Sequence, residues 1–178
     1  MAQHILLLRG INIGSRNRIA MAKLRDVLAG AGYEDVRTHL QSGNVIVSRS
    51  GQTADVAHEV ERLIAKHFGL DIAVVGRTRA QLAKVVDRNP FARVATDPKR
   101  YQVSFLATKP SGELIRRVEA AAAPVERVVV AGREIYAWHP DTIARSKLWA
   151  LLAGQNLGVT ATARNWTTVT NLLALAEE

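Results

Sequence analysis

The order of short apolar runs and amphipathic segments constrains the fold most, because the same order occurs twice within 178 residues. In the first half, the runs typical of strands are HILLLRG, VRTHLQ, NVIVSRS and LDIAVVG. The helical patterns between them are MAKLRDVLAG and TADVAHEVERLIAKHFG. The predicted order is therefore strand, helix, strand, strand, helix, strand.

The second half repeats this order after a short predicted helix at RAQLAKVVDRN. Its strand-like runs are YQVSFLA, VERVVV, EIYAWH and GVTATA, and its helical patterns are SGELIRRVEAAAA, SKLWALLAG and the closing NWTTVTNLLALAEE. This order is that of the split βαβ unit, so the sequence predicts an α+β protein of two tandem ferredoxin-like halves, each an antiparallel sheet with helices on one face. The predicted ranges are 1–77 for the first half, 78–98 for a connecting helix and turn, and 99–178 for the second half.

Composition narrows the class of protein. Hydrophobic residues make up 48% and charged residues 22%, which is enough to build an apolar core. The chain has no cysteine, which excludes disulfides and cysteine nucleophiles. No apolar run approaches the roughly 20 residues needed to span a bilayer, and the first ten residues lack the basic region of a signal peptide. We expect a cytoplasmic protein without a membrane partner, and the oligomeric state stays open.

The net charge of +8 raises the question of nucleic-acid binding. Arginine outnumbers lysine 18 to 6, and the basic residues are spread along the chain instead of forming one block. Such a pattern also fits a compositional bias toward arginine. A nucleic-acid partner is therefore an alternative hypothesis and not the first one.

The stretch LLRGINIGSRNR, which follows the first predicted strand, is the first candidate site. Gly10 and Gly14 enclose only three residues and no lysine follows, so neither the Walker loop nor the Rossmann fingerprint is present. Glycines nevertheless allow positive φ, and Arg9 can grip a carboxylate or a phosphate with two hydrogen bonds. The alternative is a structural connection in which Asn12 and Asn17 satisfy their own backbone.

Two further stretches carry polar residues at turns or helix ends. LQSGNV predicts a hairpin turn at Gly43 and Asn44, where Ser42 could bond a ligand or bond across the turn. TARNWTTV covers the start of the closing helix, where an arginine stands before a predicted N-cap. A tryptophan in the first turn could anchor the core or stack on a ligand, and a threonine lies at the third helical position. These four residues are Arg164, Asn165, Trp166 and Thr168.

The three stretches together resemble a bacterial family catalogued as domain of unknown function 1697. The resemblance implies a fold of two small α+β halves and implies no activity. It marks the residues that match its pattern: Arg9, Gly10, Asn12, Gly14, Ser42, Gly43, Asn44, Arg164, Asn165, Trp166 and Thr168. Members often carry a second glycine where this chain has Ser15.

The sequence nominates no catalytic acid, base or nucleophile. Ser42 and His39 would point to opposite faces of a strand, while His4 and His139 are isolated in the sequence. No spacing of His, Asp or Glu predicts a metal site, and no cofactor is expected. Whether the protein is an enzyme stays open.

We hypothesise a cleft that binds a small phosphorylated or carboxylated molecule, with Arg9, the Gly10–Gly14 loop and Asn44 on one wall and Arg164 and Asn165 on the other. Two alternatives remain. One is a basic module for RNA or DNA, for which the shared strand face of YQVSFLA would be either a stacking platform or a core face. The other is a structural role in which the motif residues join the two halves.

Overall fold

The computed structural model describes residues 1–154 and 156–178, and the chain divides into two compact units. Unit 1 consists of Met1–Ala83 and Leu172–Glu178, and unit 2 of Lys84–Asn171. The predicted boundaries at 77 and 98 follow sequence order and stay a prediction.

Unit 1 is built around one four-stranded antiparallel sheet. Its elements are β1 (Ala2–Leu8), α1 (Met21–Gly30), β2 (Glu34–His39), β3 (Asn44–Arg49), α2 (Thr53–Phe68) and β4 (Val74–Thr78). The strand order in the sheet is β2-β3-β1-β4, and every neighbouring pair is antiparallel. Strand β1 therefore lies in the interior of the sheet, and the loop that follows β1 emerges beside the turn between β2 and β3.

Unit 2 contains the second four-stranded antiparallel sheet. The remaining elements are α3 (Arg79–Arg88), β5 (Tyr101–Leu106), α4 (Gly112–Ala121), β6 (Arg127–Ala131), β7 (Glu134–Trp138), a 3-10 turn (Ile143–Arg145), α5 (Lys147–Ala153), β8 (Ala161–Asn165) and α6 (Trp166–Glu177). The sheet order is β6-β7-β5-β8. The unit boundary falls within α3 and within α6.

The predicted α+β class is confirmed, with two similar halves and six α-helices among the described residues. Two strands differ from the sequence patterns that predicted them. Strand β4 begins at Val74 and continues through Arg77, and β8 begins at Ala161 and continues through Arg164. In both cases the strand extends beyond the predicted apolar run and includes an arginine whose side chain is buried.

The core of unit 1 follows the predicted patterns. Leu6 and Leu8 of β1 face the helices, and α1 contributes Leu24 and Leu28. Helix α2 presents its own apolar face, Val56, Ala57, Val60 and Ile64. Gly69 ends α2 in the left-handed conformation, with a φ of 66°. Each fully buried aliphatic side chain contributes about 1.5–3 kcal/mol to folding, so this face fixes which side of the sheet the helices cover.

In unit 2, the aromatic face of the sheet is part of the core. Tyr101 is 2% exposed and stacks on Trp166 with ring centroids 4.8 Å apart, and its hydroxyl donates to Asn89 Oδ1 at 2.8 Å. The Tyr136 hydroxyl donates to the Val85 carbonyl at 2.8 Å, and burial raises the pKa of Tyr136 to about 12. Of the two interpretations left open for this strand face, the core face is the one that the structure supports.

No helix within the described residues combines the length and the apolar character needed to cross a membrane.

Candidate functional site

The stretch after β1 folds into a small hairpin, here called the 9–19 hairpin. The Asn12 amide donates to the Asn17 carbonyl at 3.0 Å, and the Arg16 amide donates to the Ile13 carbonyl at 3.1 Å. Gly14, with a φ of 58°, occupies the first position of the two-residue tip. A type II′ turn needs positive φ at that position and not at the next one, which explains why Ser15 is accommodated.

Two asparagine side chains fix the base of this hairpin. Asn12 Nδ2 donates to the carbonyls of Ile19 and Gln41 at 2.9 and 2.7 Å, and its Oδ1 accepts from the Ile19 amide at 2.9 Å. Asn17 Nδ2 donates to the Gly10 carbonyl at 2.9 Å. Both asparagines have positive φ, which asparagine tolerates better than most residues. Their side chains therefore satisfy backbone groups, as the structural alternative predicted.

The basic residues of the hairpin differ in their surroundings. Arg9 is half-buried and its amide donates to the Ala73 carbonyl at 2.9 Å, whereas Arg16 and Arg18 are exposed. Ile13, at the tip, is 66% exposed. The hairpin thus presents two arginines and one aliphatic side chain to solvent on a backbone held by hydrogen bonds.

The turn between β2 and β3 lies against the hairpin. It comprises 40–43 and ends one residue before the predicted Gly43–Asn44 turn does, since Asn44 is already paired in β3 opposite His39. Asn44 is fully buried, and its Nδ2 donates to the His39 carbonyl at 2.7 Å and to Ser42 Oγ at 3.1 Å. Asn44 and Ser42 therefore bond across the turn.

Gly43 is required by its packing as well as by its conformation. Its φ is 86°, and a Cβ built there would lie 2.7 Å from both Ile11 Cδ1 and Leu8 Cβ. The Gly43 carbonyl accepts from the Leu8 amide at 2.8 Å. This glycine lets the turn approach the end of β1 and the first residues of the hairpin.

The other predicted site residues lie together in unit 2. Arg164 is 8% exposed, and its Nη1 donates to Thr162 Oγ1 at 2.7 Å and to the Ala163 carbonyl at 2.8 Å. Burial lowers the pKa of Arg164 to about 10, so the guanidinium stays charged at neutral pH. Arg77 in β4 of unit 1 is also buried and bonds the carbonyl that precedes it, at 2.8 Å.

The start of α6 is capped as predicted. Asn165 Oδ1 accepts from the Thr168 amide at 2.9 Å, and Thr168 is buried. Trp166 stacks on Tyr101, which supports the core-anchor interpretation of this tryptophan over a ligand-stacking one. In unit 2 these residues make internal contacts with their own helix and sheet.

The structure therefore groups the predicted residues into two sets. One set, in unit 1, joins the 9–19 hairpin to the 40–43 turn through the bond from Asn12 to Gln41. The other set, in unit 2, surrounds the junction of β8 and α6. A cleft that combines both sets stays a prediction.

Sequence reasoning missed a buried polar cluster in unit 2, formed by Glu126, His139 and Ser146. His139 Nδ1 bonds Glu126 Oε2, and Ser146 Oγ donates to the same oxygen at 2.6 Å. Ser146 also accepts from the Trp149 amide at 3.0 Å, which caps α5. His139 is isolated in the sequence but not in the structure, because β6, β7 and the start of α5 bring together residues up to 20 positions apart.

The cluster does not have the geometry of a nucleophilic triad. In such triads the serine and the carboxylate bond opposite nitrogens of the histidine. Here Ser146 and Glu126 both lie on the Nδ1 side, and buried Nε2 of His139 has no hydrogen-bond partner among the described residues. Burial alone would raise the pKa of Glu126, but hydrogen bonds from Ser146, from the Ala123 amide and from His139 hold it below its usual value. The hydrogen bonds of this cluster connect the turn before β6, the end of β7 and the start of α5.

Two cavities are lined by none of the predicted site residues. One, of about 330 Å³, lies between Thr108–Ser111 and Leu157–Val159 in unit 2, and the other, of about 400 Å³, lies beside Gln3, Arg37 and Glu178 in unit 1. Among the residues that the structure describes, no three His, Asp or Glu side chains are grouped closely enough to hold a metal ion.

Comparisons with known proteins place this architecture in a family. The model of the family described as Protein of unknown function (DUF1697) matches residues 1–136, a range that includes the hairpin and the 40–43 turn but ends before β8. The conserved bacterial protein SP0830 from Streptococcus pneumoniae shares 23% identity with the chain at a TM-score of 0.80, over 98% of each chain, which shows a common fold. No curated protein matches. The chain belongs to the DUF1697 family of proteins of unknown function.

Proposed function

We propose that the protein binds an anionic ligand, carrying a phosphate or a carboxylate, through the exposed arginines of the 9–19 hairpin. The observation that carries the proposal is that Arg16 and Arg18 are exposed on a backbone fixed by Asn12 and Asn17. Neither guanidinium makes a salt bridge with a described residue. A planar guanidinium can form two parallel hydrogen bonds with a carboxylate or a phosphate, and a fixed backbone reduces the entropy lost on binding.

In this proposal the predicted residues fall into three groups. Arg9, Gly10 and Gly14 belong to the binding loop, while Asn12, Ser42, Gly43 and Asn44 hold that loop in position. Arg164, Asn165, Trp166 and Thr168 support the junction of β8 and α6. The buried position of Arg164 argues for this division, since a side chain that is 8% exposed offers little surface to a ligand.

The test is a thermal-shift and titration series with inorganic phosphate, dicarboxylates and nucleotides. We expect the wild type to be stabilised by at least one of them, by about 2.7 kcal/mol at a ligand concentration of 100 times Kd. The variant Arg16→Ala/Arg18→Ala should keep the wild-type melting temperature without ligand and lose the shift. Arg93→Ala/Arg116→Ala is the matched control, because it removes the same charge from exposed positions of unit 2. Equal shifts in all three proteins would refute the proposal.

Nucleic-acid binding is the second candidate, and the net charge of +8 is the observation that favours it. Short RNA and DNA belong in the same series at low and high salt. Binding through phosphate contacts should weaken steeply as salt increases, with little dependence on sequence. If the hairpin variant and its control weakened nucleic-acid binding equally, the binding would be a general attraction of charges without a specific site.

We further assign both halves to the ferredoxin-like topology. The antiparallel orders β2-β3-β1-β4 and β6-β7-β5-β8 support this assignment, because the split βαβ plan places its first strand in the interior beside its third and fourth. A cytoplasmic location stays a prediction from the amino-acid sequence.

A further inference from the structure

We propose that the 9–19 hairpin and the 40–43 turn together form a docking surface for an anionic lipid bilayer. This loop-tip surface consists of Ile13, Leu40, Arg16 and Arg18. The inference rests on the proposed function, because it names the anion as the headgroup phosphate of a lipid. It adds a requirement that a soluble anion does not have, namely contact with the aliphatic tips.

The aliphatic tips are unusual for their exposure. Ile13 is 66% exposed and Leu40 is 56% exposed, and both stand on loops instead of on the edge of the core. The sequence neighbours of these two residues, Asn12 and Gln41, are joined by a hydrogen bond of 2.7 Å. The loops that carry the two tips are therefore bonded to each other in unit 1.

The backbone that carries the tips is held in a conformation that leucine rarely adopts. Leu40 has a φ of 61°, in the left-handed region that is unfavourable for a residue with a Cβ. Outliers of this kind persist where surrounding contacts impose them, and they cluster at binding sites. Asn44, which bonds Ser42 and the His39 carbonyl, imposes the turn from one side, and Asn12 bonds it from the other.

The combination of charges and apolar groups favours a lipid surface over a nucleic acid. Arg16 pairs with Ile13 across the hairpin, and Arg16 and Arg18 are both exposed. Cations near an anionic leaflet are attracted to it, while aliphatic side chains partition into the interfacial region below the headgroups. Bases are recognised in large part by stacking on aromatic rings. The described loop tips carry no aromatic residue, and the aromatic strand face of unit 2 is buried.

This inference departs from the expectation of no membrane partner, which was based on the lack of a spanning segment. Peripheral docking needs no such segment, because the loops enter only the headgroup region. Two arginines and two aliphatic tips predict weak, reversible and salt-dependent association.

The experiment measures co-sedimentation of the full chain with vesicles of phosphatidylcholine alone and with vesicles containing phosphatidylglycerol. Three double variants are compared with the wild type. Ile13→Thr/Leu40→Asn removes the apolar tips while keeping a β-branched residue at 13 and a residue tolerant of positive φ at 40. Arg16→Ala/Arg18→Ala removes the charges. Val94→Thr/Val125→Thr is the matched control, because these valines are 45% and 53% exposed elsewhere in the chain.

We expect the wild type and the valine control to co-sediment with vesicles that contain phosphatidylglycerol and not with vesicles of phosphatidylcholine alone. The tip variant should bind those vesicles at least tenfold more weakly but bind soluble phosphate compounds as the wild type does. The arginine variant should lose both. Soluble anion binding without vesicle binding would overturn this inference and leave the proposed function standing. Stronger binding to RNA than to vesicles would also overturn the lipid inference. If the wild type bound neither vesicles nor soluble anions, the lipid inference and the proposed function would both be refuted.

Discussion

At the scale of single residues, the amino acids that match the family pattern act mainly on the backbone. Asn12 bonds three backbone groups, and Gly43 accepts a close approach that no side chain would permit. Buried Arg164 bonds the carbonyl and the hydroxyl next to it in its own strand. In the sequence, this pattern of glycine, asparagine and arginine suggests a binding site. In the structure, most of these residues hold loop backbones in position.

Substitution of Gly43 tests this role. Gly43→Ala adds the cost of a left-handed Cβ to a collision with Ile11 and Leu8, so we expect a loss of about 2–4 kcal/mol in the free energy of unfolding. Gly10→Ala is the matched control, because its φ is 65° but nothing lies within 4 Å of the added carbon. Gly10→Ala should lose only the cost of placing a Cβ in the left-handed conformation, about 1–2 kcal/mol of the free energy of unfolding. Urea denaturation of both variants measures the difference, and equal losses would show that packing at Gly43 is unimportant.

At the scale of elements, helix starts in unit 2 are fixed by side-chain caps. Ser111 accepts from the Leu114 amide at 3.1 Å at the start of α4, as its position in the sequence predicted. Ser146 caps α5 and is in turn held by Glu126, which also accepts from the Ala123 amide at 3.0 Å. One carboxylate therefore connects the turn before β6, the end of β7 and the start of α5.

This connection makes stability depend on pH. The pKa of Glu126 is held below its usual value in the folded chain, so its contribution to stability is fully present above about pH 4.5 and is lost as the pH falls through the folded value. Between pH 6 and pH 3 the wild type should therefore lose more stability than Glu126→Gln, in which no carboxylate titrates at this position. The control Glu119→Gln, on the exposed side of α4, should follow the wild type. Parallel curves of unfolding free energy against pH for all three would contradict this account.

At the scale of the whole molecule, the chain returns to its first unit at its C-terminal end. Leu172 and Ala176 of α6 are buried, and the Leu175 carbonyl accepts from Arg37 Nη1 at 2.5 Å. The ion pair between Arg79 and Glu177 adds little, since both side chains are 53% exposed. Burial of the last helical turns, more than ion pairing, stabilises this part of unit 1.

Truncation of Leu172 measures that contribution. Leu172→Ala should reduce the free energy of unfolding by about 2–5 kcal/mol, because it leaves a cavity at a site that is 1% exposed. Leu173→Ala, at a half-buried position of the same helix, should cost clearly less. Native-state hydrogen exchange should show the greater loss of protection in β1–β4 for Leu172→Ala. Similar losses in both variants would mean that α6 is not anchored through Leu172.

Local patterns in the amino-acid sequence were enough to predict the fold class, the order of the elements and several helix caps. Period-two and helical patterns locate most strands and helices because those patterns express which face is buried, a local property of the chain. Ser111, Gly69 and Asn165 were recognisable because capping acts over three or four residues.

The partners of the polar residues became clear only from the folded chain. The link between Glu126, His139 and Ser146 spans up to 20 residues, and the bond from Asn12 to Gln41 spans 29, so no local pattern encodes either. Burial of Arg77 and Arg164 likewise depends on the strands continuing farther than their apolar runs. The partners of a side chain depend on which strands pair and in which register. Strand pairing and register depend on contacts between residues that are far apart in the sequence.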